Sequence, residues 1–222
     1  MLFRGMLWLA WFLYLTGSLL ILTNSVLDYR PGGLGLFIFQ KGEIGESLIW
    51  RVSLYVHIVG GVICLFAALP QLSARLVARF PAVHRRAGKI YAACLLFLVC
   101  PTGFHLALFA KGGFFGKLGF LTLAFAAFYT TLAGWRAVMP PQRNLAAHRI
   151  WMSRSFALTA STVTFRIYHA LGYFAGLEAD TNYVASLWLS LLGNIAVTEI
   201  ILHRKPIAAF FFHSKPQTQT DP

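Results

Sequence analysis

Residues 148–169 read HRIWMSRSFALTASTVTFRIYH. Among the residues that break its apolarity, His148, Ser155, Thr159, Thr162, Arg166 and His169 follow one another at steps of 7, 4, 3, 4 and 3. At about 100° per residue in an α-helix, such steps hold all six on one narrow stripe. One polar face therefore runs the length of this helix, and a face of that kind in an otherwise apolar chain is one that meets protein.

The rest of the chain follows the same logic. Of its 222 residues 58% are hydrophobic and only 12% charged, with 20 phenylalanines and a mean hydropathy of +0.66. Soluble domains run near 45–50% apolar and about 25% charged, which excludes an ordinary aqueous fold. A membrane helix needs about 20 mostly apolar residues to cross about 30 Å of hydrocarbon. Stretches at about 6–26, 53–72, 88–108, 118–139, 150–171 and 183–203 qualify. Continuous apolarity without strict alternation selects helices over a barrel. The expected fold is therefore all-α, an integral membrane bundle of six transmembrane helices over residues 1–213, with a disordered polar tail at 214–222. The first stretch follows Arg4 but is too long for a signal peptide and precedes no small-residue cleavage site, so it reads as a retained helix. The longest connection, about 27–52, holds Pro31, Gly32, Gly33 and Gly35 and reads as a partly ordered outer loop.

The net charge of +12 does not require nucleic acid, because the cations segregate by side. The N-terminus, the 73–89 loop, the 137–154 region and the tail hold most of them, whereas the opposite loops hold Arg30, Lys41, Arg51, Lys111 and Lys117 together with Asp28, Glu43, Glu46, Glu178 and Asp180. The positive-inside rule then puts both termini in the cytoplasm, with the basic loops as topology determinants beside anionic lipid. Cys64, Cys94 and Cys100 all lie in apolar segments, with no disulfide framework and no CxxC. There is no GxSxG, Walker loop or GxGxxG, and the spans contain no Asp and only Glu199, so hydrolase and nucleotide chemistry have no support.

Helical spacing shows which other faces meet protein. The second span carries His57, Gly61, Cys64, Ala68 and Gln71 on one side, and the third carries His84, Gly88, Tyr91, Thr102 and His105 less regularly. Spans two, three and five should share an interior. Arg166 calls for a partner: the outer interface, a loop carboxylate such as Glu178, or an anionic ligand group. Glu199 should pair with Arg154 or His203. His84 and His148 fall at the inner ends of their helices, and His57, His105 and His169 near the outer ends.

Two imidazoles at equal depth on facing helices, with cations nearby and small residues beside them, are what a b-type haem requires. His84 with His148 is the preferred pair, beside Arg85, Arg149 and Gly88. His57 with His105 or His169 is the outer candidate. The architecture resembles the small diheme transmembrane cytochromes b, which place a helix's two ligands about four turns apart. Here His84 and His105, like His148 and His169, are 21 residues or about 31 Å apart, which favours a single haem over a two-haem relay. The alternatives are a carrier in which Arg166 binds an anionic group, and a structural or assembly subunit without a cofactor. Beyond the lipid bilayer, a redox or other membrane-protein partner is expected.

Several motifs, VHIVGG at 56–61, HRRAGKIY at 84–91, HRIWMSRSFALT at 148–159 and TFRIY at 164–168, together with Asn194 and Glu199, resemble a widespread bacterial family of predicted multi-pass membrane proteins catalogued as a domain of unknown function. The resemblance covers about residues 50–203. It implies a bacterial inner-membrane location and that His57, His84, His148, Arg154, Arg166 and Glu199 belong to the family pattern, while His105 and His169 do not. The residue types themselves suggest an inner constellation, with His84 and His148 at the start of two helices and Arg154 and Glu199 deeper, and a polar network of Arg154, Arg166, Glu199 and Tyr91.

Overall fold

The computed structural model describes residues 16–20, 23, 38, 41–71 and 74–203, without the side chains of 74–76. The span expected at 6–26, most of the 27–52 loop, both termini and the tail at 214–222 lie wholly or mainly outside these residues.

Among the described residues the fold is all-helical. A single turn, α1 (Glu43–Glu46), precedes α2 (Leu48–Ala68), which tightens into a 3₁₀ turn at Leu69–Gln71. A short α3 (Ala74–Arg79) leads into α4 (Pro81–Cys94), a π-helical segment at Leu95–Val99 and α5 (Cys100–Ala107), all one continuous rod. Then come α6 (Gly113–Val138), α7 (Leu145–Phe174) and α8 (Ala179–His203). Four of these units, Leu48–Gln71, Pro81–Ala107, Gly113–Val138 and Ala179–His203, are long and apolar enough to cross a membrane. The fifth expected span, 150–171, lies within α7, which is not one of the four, because its three arginines and hydroxyl stripe lower its hydropathy.

Every helix starts before the apolar run that announces it. The added turns are set by caps that sit outside the hydrophobic stretch. Ser47 accepts from the Trp50 N–H, Pro81 occupies the first turn of α4, and Asn144 accepts from the Ala147 N–H. The π segment precedes Pro101, whose missing N–H and bulky ring disrupt the ladder one turn upstream.

The bundle's polarity is inverted relative to a soluble core. Ser155, Thr131 and Ser190 are 0% exposed, whereas Phe97, Phe114 and Phe125 are more than 60% exposed. Large apolar side chains on the outside suit a lipid environment, and small hydroxyl residues inside let helices approach and bond to one another. The apolar interior contains Cys64, Leu95, Cys100, Met152, Leu158 and Leu191 around Tyr91. Short connections make neighbouring rods antiparallel. The end that carries residues 69–81, 139–144 and His203 is the basic end; the opposite end carries residues 43–48, 108–112 and 175–178.

Candidate functional site

The site begins with a buried cluster of hydroxyls where α4, α6 and α7 meet. Tyr91, 0% exposed, reaches across from α4 so that its Oη lies 2.7 Å from both Ser155 Oγ and Thr159 Oγ1 on α7. Ser155 Oγ in turn lies 2.6 Å from Thr131 Oγ1 on α6. The Tyr91 ring also packs at 4.8 Å against Phe156.

This contact sets the depth of two histidines. His84 precedes Tyr91 by the same seven residues by which His148 precedes Ser155, about two turns or about 10 Å toward the basic end. The two imidazoles therefore share one level, close enough for an electrostatic interaction between them. His148 Nδ1 lies 2.7 Å from the Gly134 carbonyl. A carbonyl only accepts, so Nδ1 carries the hydrogen and the lone pair is left on Nε2. His84 Nδ1 is buried with no hydrogen-bond partner among the described residues, while the His84 carbonyl accepts from Gln71 Nε2 at 3.0 Å. Gly88 packs beside this glutamine, where a Cβ would lie 3.5 Å from Gln71 Oε1, an ordinary contact.

Farther along the basic end, Arg154 and Glu199 form a two-pronged pair, Nε to Oε1 at 2.6 Å and a terminal guanidinium nitrogen to Oε2 at 3.0 Å. His203 Nε2 approaches the same carboxylate at 3.4 Å. The guanidinium also lies 4.8 Å from the Trp151 ring, which Tyr129 meets edge-on.

The opposite end has a separate arrangement. His57 Nδ1 donates to the Val99 carbonyl at 2.9 Å, inside the π segment, and lies 3.2 Å from Thr102 Oγ1. Gly103 permits this approach, because a Cβ there would lie 3.1 Å from His57 Cε1. His105 Nδ1 bonds Ser53 Oγ at 2.9 Å. His169 stacks on Phe165 and meets Tyr183 edge-on, and its Nδ1 is buried with no partner among the described residues. Arg166 donates to the Thr162 carbonyl of its own helix and interacts electrostatically with His57 and Tyr183. So His84, His148 and Tyr91 gather toward one end, Arg154 pairs with Glu199 on α8, and His57, His105, His169 and Arg166 lie toward the other.

Sequence reading did not single out Thr131 or the Gly134 carbonyl, which hold Ser155 and His148. Nor did it find the α7–α8 seam, where Asn194 Nδ2 lies within 3.3 Å of the Ala157 carbonyl, Ser161 Oγ and Thr164 Oγ1. The available signal was Thr131 and Gly134 one turn apart in an otherwise apolar helix. Among the described residues no group of three or more His, Cys, Asp or Glu forms a metal site.

The family described as "Predicted membrane protein (DUF2306)" matches residues 54–202. No curated protein and no solved structure matches the chain.

Proposed function

This chain belongs to the DUF2306 family of predicted membrane proteins, and we propose that it is a six-span bundle of the bacterial inner membrane that holds a haem b between His84 and His148 and acts in electron transfer. In this reading residues 6–26 supply the first span and α7 the fifth. Both termini lie in the cytoplasm with the basic end, as the positive-inside rule requires.

The observation that carries the haem reading is the common level of His84 and His148, set by the Tyr91–Ser155 contact. Bis-imidazole ligation needs two neutral rings at one depth on different helices. His148 is prepared for it, because its Nδ1–H is committed to the Gly134 carbonyl, which orients the ring and leaves Nε2 to bind. The buried Nδ1 of His84 supplies a second nitrogen without a partner among the described residues. Arg85 and Arg149 follow the two histidines in sequence and offer cations for propionates. When bound, haem supplies one-electron chemistry at iron. The chain's own contribution is to hold the rings, seal them from the opposite end with the hydroxyl cluster, and place them near the cytoplasmic surface, where a redox partner docks.

The test is an absorption spectrum of detergent-purified protein, air-oxidised and then dithionite-reduced, with haem per chain from pyridine extraction. A sharp reduced α-band with near-stoichiometric haem, lost in His84→Ala or His148→Ala and kept in His105→Ala and His169→Ala, supports the reading. Loss in His57→Ala alone moves the ligand to the opposite end. A colourless protein from haem-replete cells overturns it. That leaves the carrier reading, which the proximity of Arg166 to His57 and Tyr183 favours and which anion flux into proteoliposomes tests.

A further inference from the structure

Between Glu46 and Glu178 the sequence contains no Asp or Glu at all. The cations of the 137–154 region therefore have no acidic neighbour in their own loop, and Arg154 finds its carboxylate only on α8. In this region lies a cavity of about 330 Å³ between the end of α6 and the start of α7. Its walls are Ala133 and Ala137 from α6 and Ala147 and Trp151 from α7, and its floor is Gln142 and Asn144 from the connecting turn.

Each wall pairs residues four apart on its helix, and three of the four are alanines, so the gap arises from side chains too short to meet. The fourth is held rigid. Trp151 sits between the Tyr129 edge at 5.5 Å and the Arg154 guanidinium at 4.8 Å. The floor is fixed as well. The Asn144 N–H donates to the Ala137 carbonyl at 2.7 Å while its side chain caps α7. Arg143 accordingly sits at φ 40°, a left-handed conformation uncommon for a residue with a side chain. Arg143 lies between the two floor residues, and Arg136 immediately precedes the wall residue Ala137; both are exposed. The place thus combines a tryptophan packed between two neighbours, a half-open groove walled by alanines, side-chain amides and, beside the lining residues in the chain, two exposed arginines. Guanidinium matches phosphate by its planar fork, and tryptophan is the residue of the membrane interface.

We propose that this groove binds an anionic glycerophospholipid, its phosphate on Arg136 and Arg143 and its glycerol and upper acyl chain against Trp151 and the alanines. The site needs the membrane embedding but not the haem, and its test reads lipid alone.

Full-length protein in a neutral detergent is mixed with equal amounts of dioleoylphosphatidylglycerol and dioleoylphosphatidylcholine, and retained lipid is counted by native mass spectrometry. Both lipids carry the phosphate, and the choline cation cancels its charge in one of them, so each arginine should favour the net-anionic lipid roughly fivefold. The wild type is expected to retain phosphatidylglycerol preferentially. Arg136→Gln/Arg143→Gln is expected to bring the two lipids near parity, and Arg79→Gln/Arg86→Gln, which removes the same charge from the other basic loop, to keep the preference. Inorganic phosphate should not displace the lipid. Equal retention by the wild type, equal losses in the two double variants, or displacement by inorganic phosphate would each overturn the site. They would reduce it, respectively, to no selectivity, a diffuse field, or an ion site. Ala133→Leu, which fills the groove and keeps every charge, is expected to lose the preference too, and its retention would also count against the proposal.

Discussion

Tyr91 Oη lies 2.7 Å from Ser155 Oγ, and one arrangement of hydrogens links the hydroxyls around this pair into a single chain. Thr131 Oγ1 donates to the Ala127 carbonyl at 2.7 Å, so its lone pair faces Ser155, which must donate to it. Tyr91 has one hydrogen to give, so it donates to Ser155 and accepts from Thr159 at 2.7 Å, the Ser155 carbonyl at 3.1 Å being the alternative acceptor for Thr159. The chain runs one way, from Thr159 through Tyr91 and Ser155 to Thr131, and ends on a backbone carbonyl. A buried network of this kind is stable only when every member is satisfied, and this one is.

Tyr91→Phe removes the middle donor and leaves the others with partners, because Thr159 turns to the Ser155 carbonyl. The expected cost is about 1 kcal/mol, as for hydrogen bonds between membrane helices. Tyr91→Ala also empties the space against Phe156 and should cost about 3–5 kcal/mol. Apparent melting temperatures in one mild detergent test this ranking, and an unaltered Tyr91→Phe would mean that the hydroxyl is idle. In the haem reading, Tyr91→Ala should also lower haem content by disturbing the common level of His84 and His148.

The long apolar runs behind α2, α4–α5, α6 and α8 are plain in the sequence, and so is the α7 stripe, because Ser155 and Thr159 face protein at helical spacing. The caps Ser47, Pro81 and Asn144 escape a hydropathy reading since they lie in the polar interface beyond the apolar run. Thr131 escapes for another reason. A threonine in such a helix, like its neighbour Thr130, is satisfied by the preceding turn, and the role of Thr131 across helices exists only because Tyr91 brings Ser155 to it. Pro101 is visible, but that His57 would donate to the Val99 carbonyl depends on how α2 packs against the π segment.

Arg154 and Glu199 are 25% and 30% exposed in their side chains, which dilutes their attraction with solvent. A double-mutant cycle of Arg154→Ala and Glu199→Ala should nonetheless give a coupling of about 1 kcal/mol, because the pair has two contacts and Trp151 holds the guanidinium in place. His203→Ala should change stability by no more than about 0.5 kcal/mol, its ring being 78% exposed. A coupling indistinguishable from zero would show the pair to be decorative.

Gly172 and Gly193 form a matched comparison on facing helices. A Cβ at Gly172 would clash with Asn182 Oδ1, and Asn182 is held by its own bond to the His169 carbonyl. Gly172→Ala should therefore destabilise by about 1–3 kcal/mol through overpacking. Nothing lies within 4 Å of a Cβ at Gly193, so Gly193→Ala should be neutral or stabilise by up to about 1 kcal/mol through helix propensity. Equal effects in a shared thermal assay would contradict the packing at Asn182.

Glu178 stands just ahead of α8 and accepts from the Asp180 and Thr181 N–H groups at 2.9 and 2.7 Å. Those bonds hold its carboxyl below the ordinary value of 4.5. A carboxylate with a depressed folded pKa binds its proton more tightly in the unfolded chain. Its contribution is therefore complete above the unfolded value and is lost as pH falls through the folded one. Melting temperatures from pH 7 down to pH 3 should show an acid-side decline that is shallower in Glu178→Gln, which still caps the helix but does not titrate. The two proteins should lie farthest apart at neutral pH, where the carboxylate also favours the helix dipole, and converge in acid. Parallel curves across the whole range would show that Glu178 does not titrate against the start of α8.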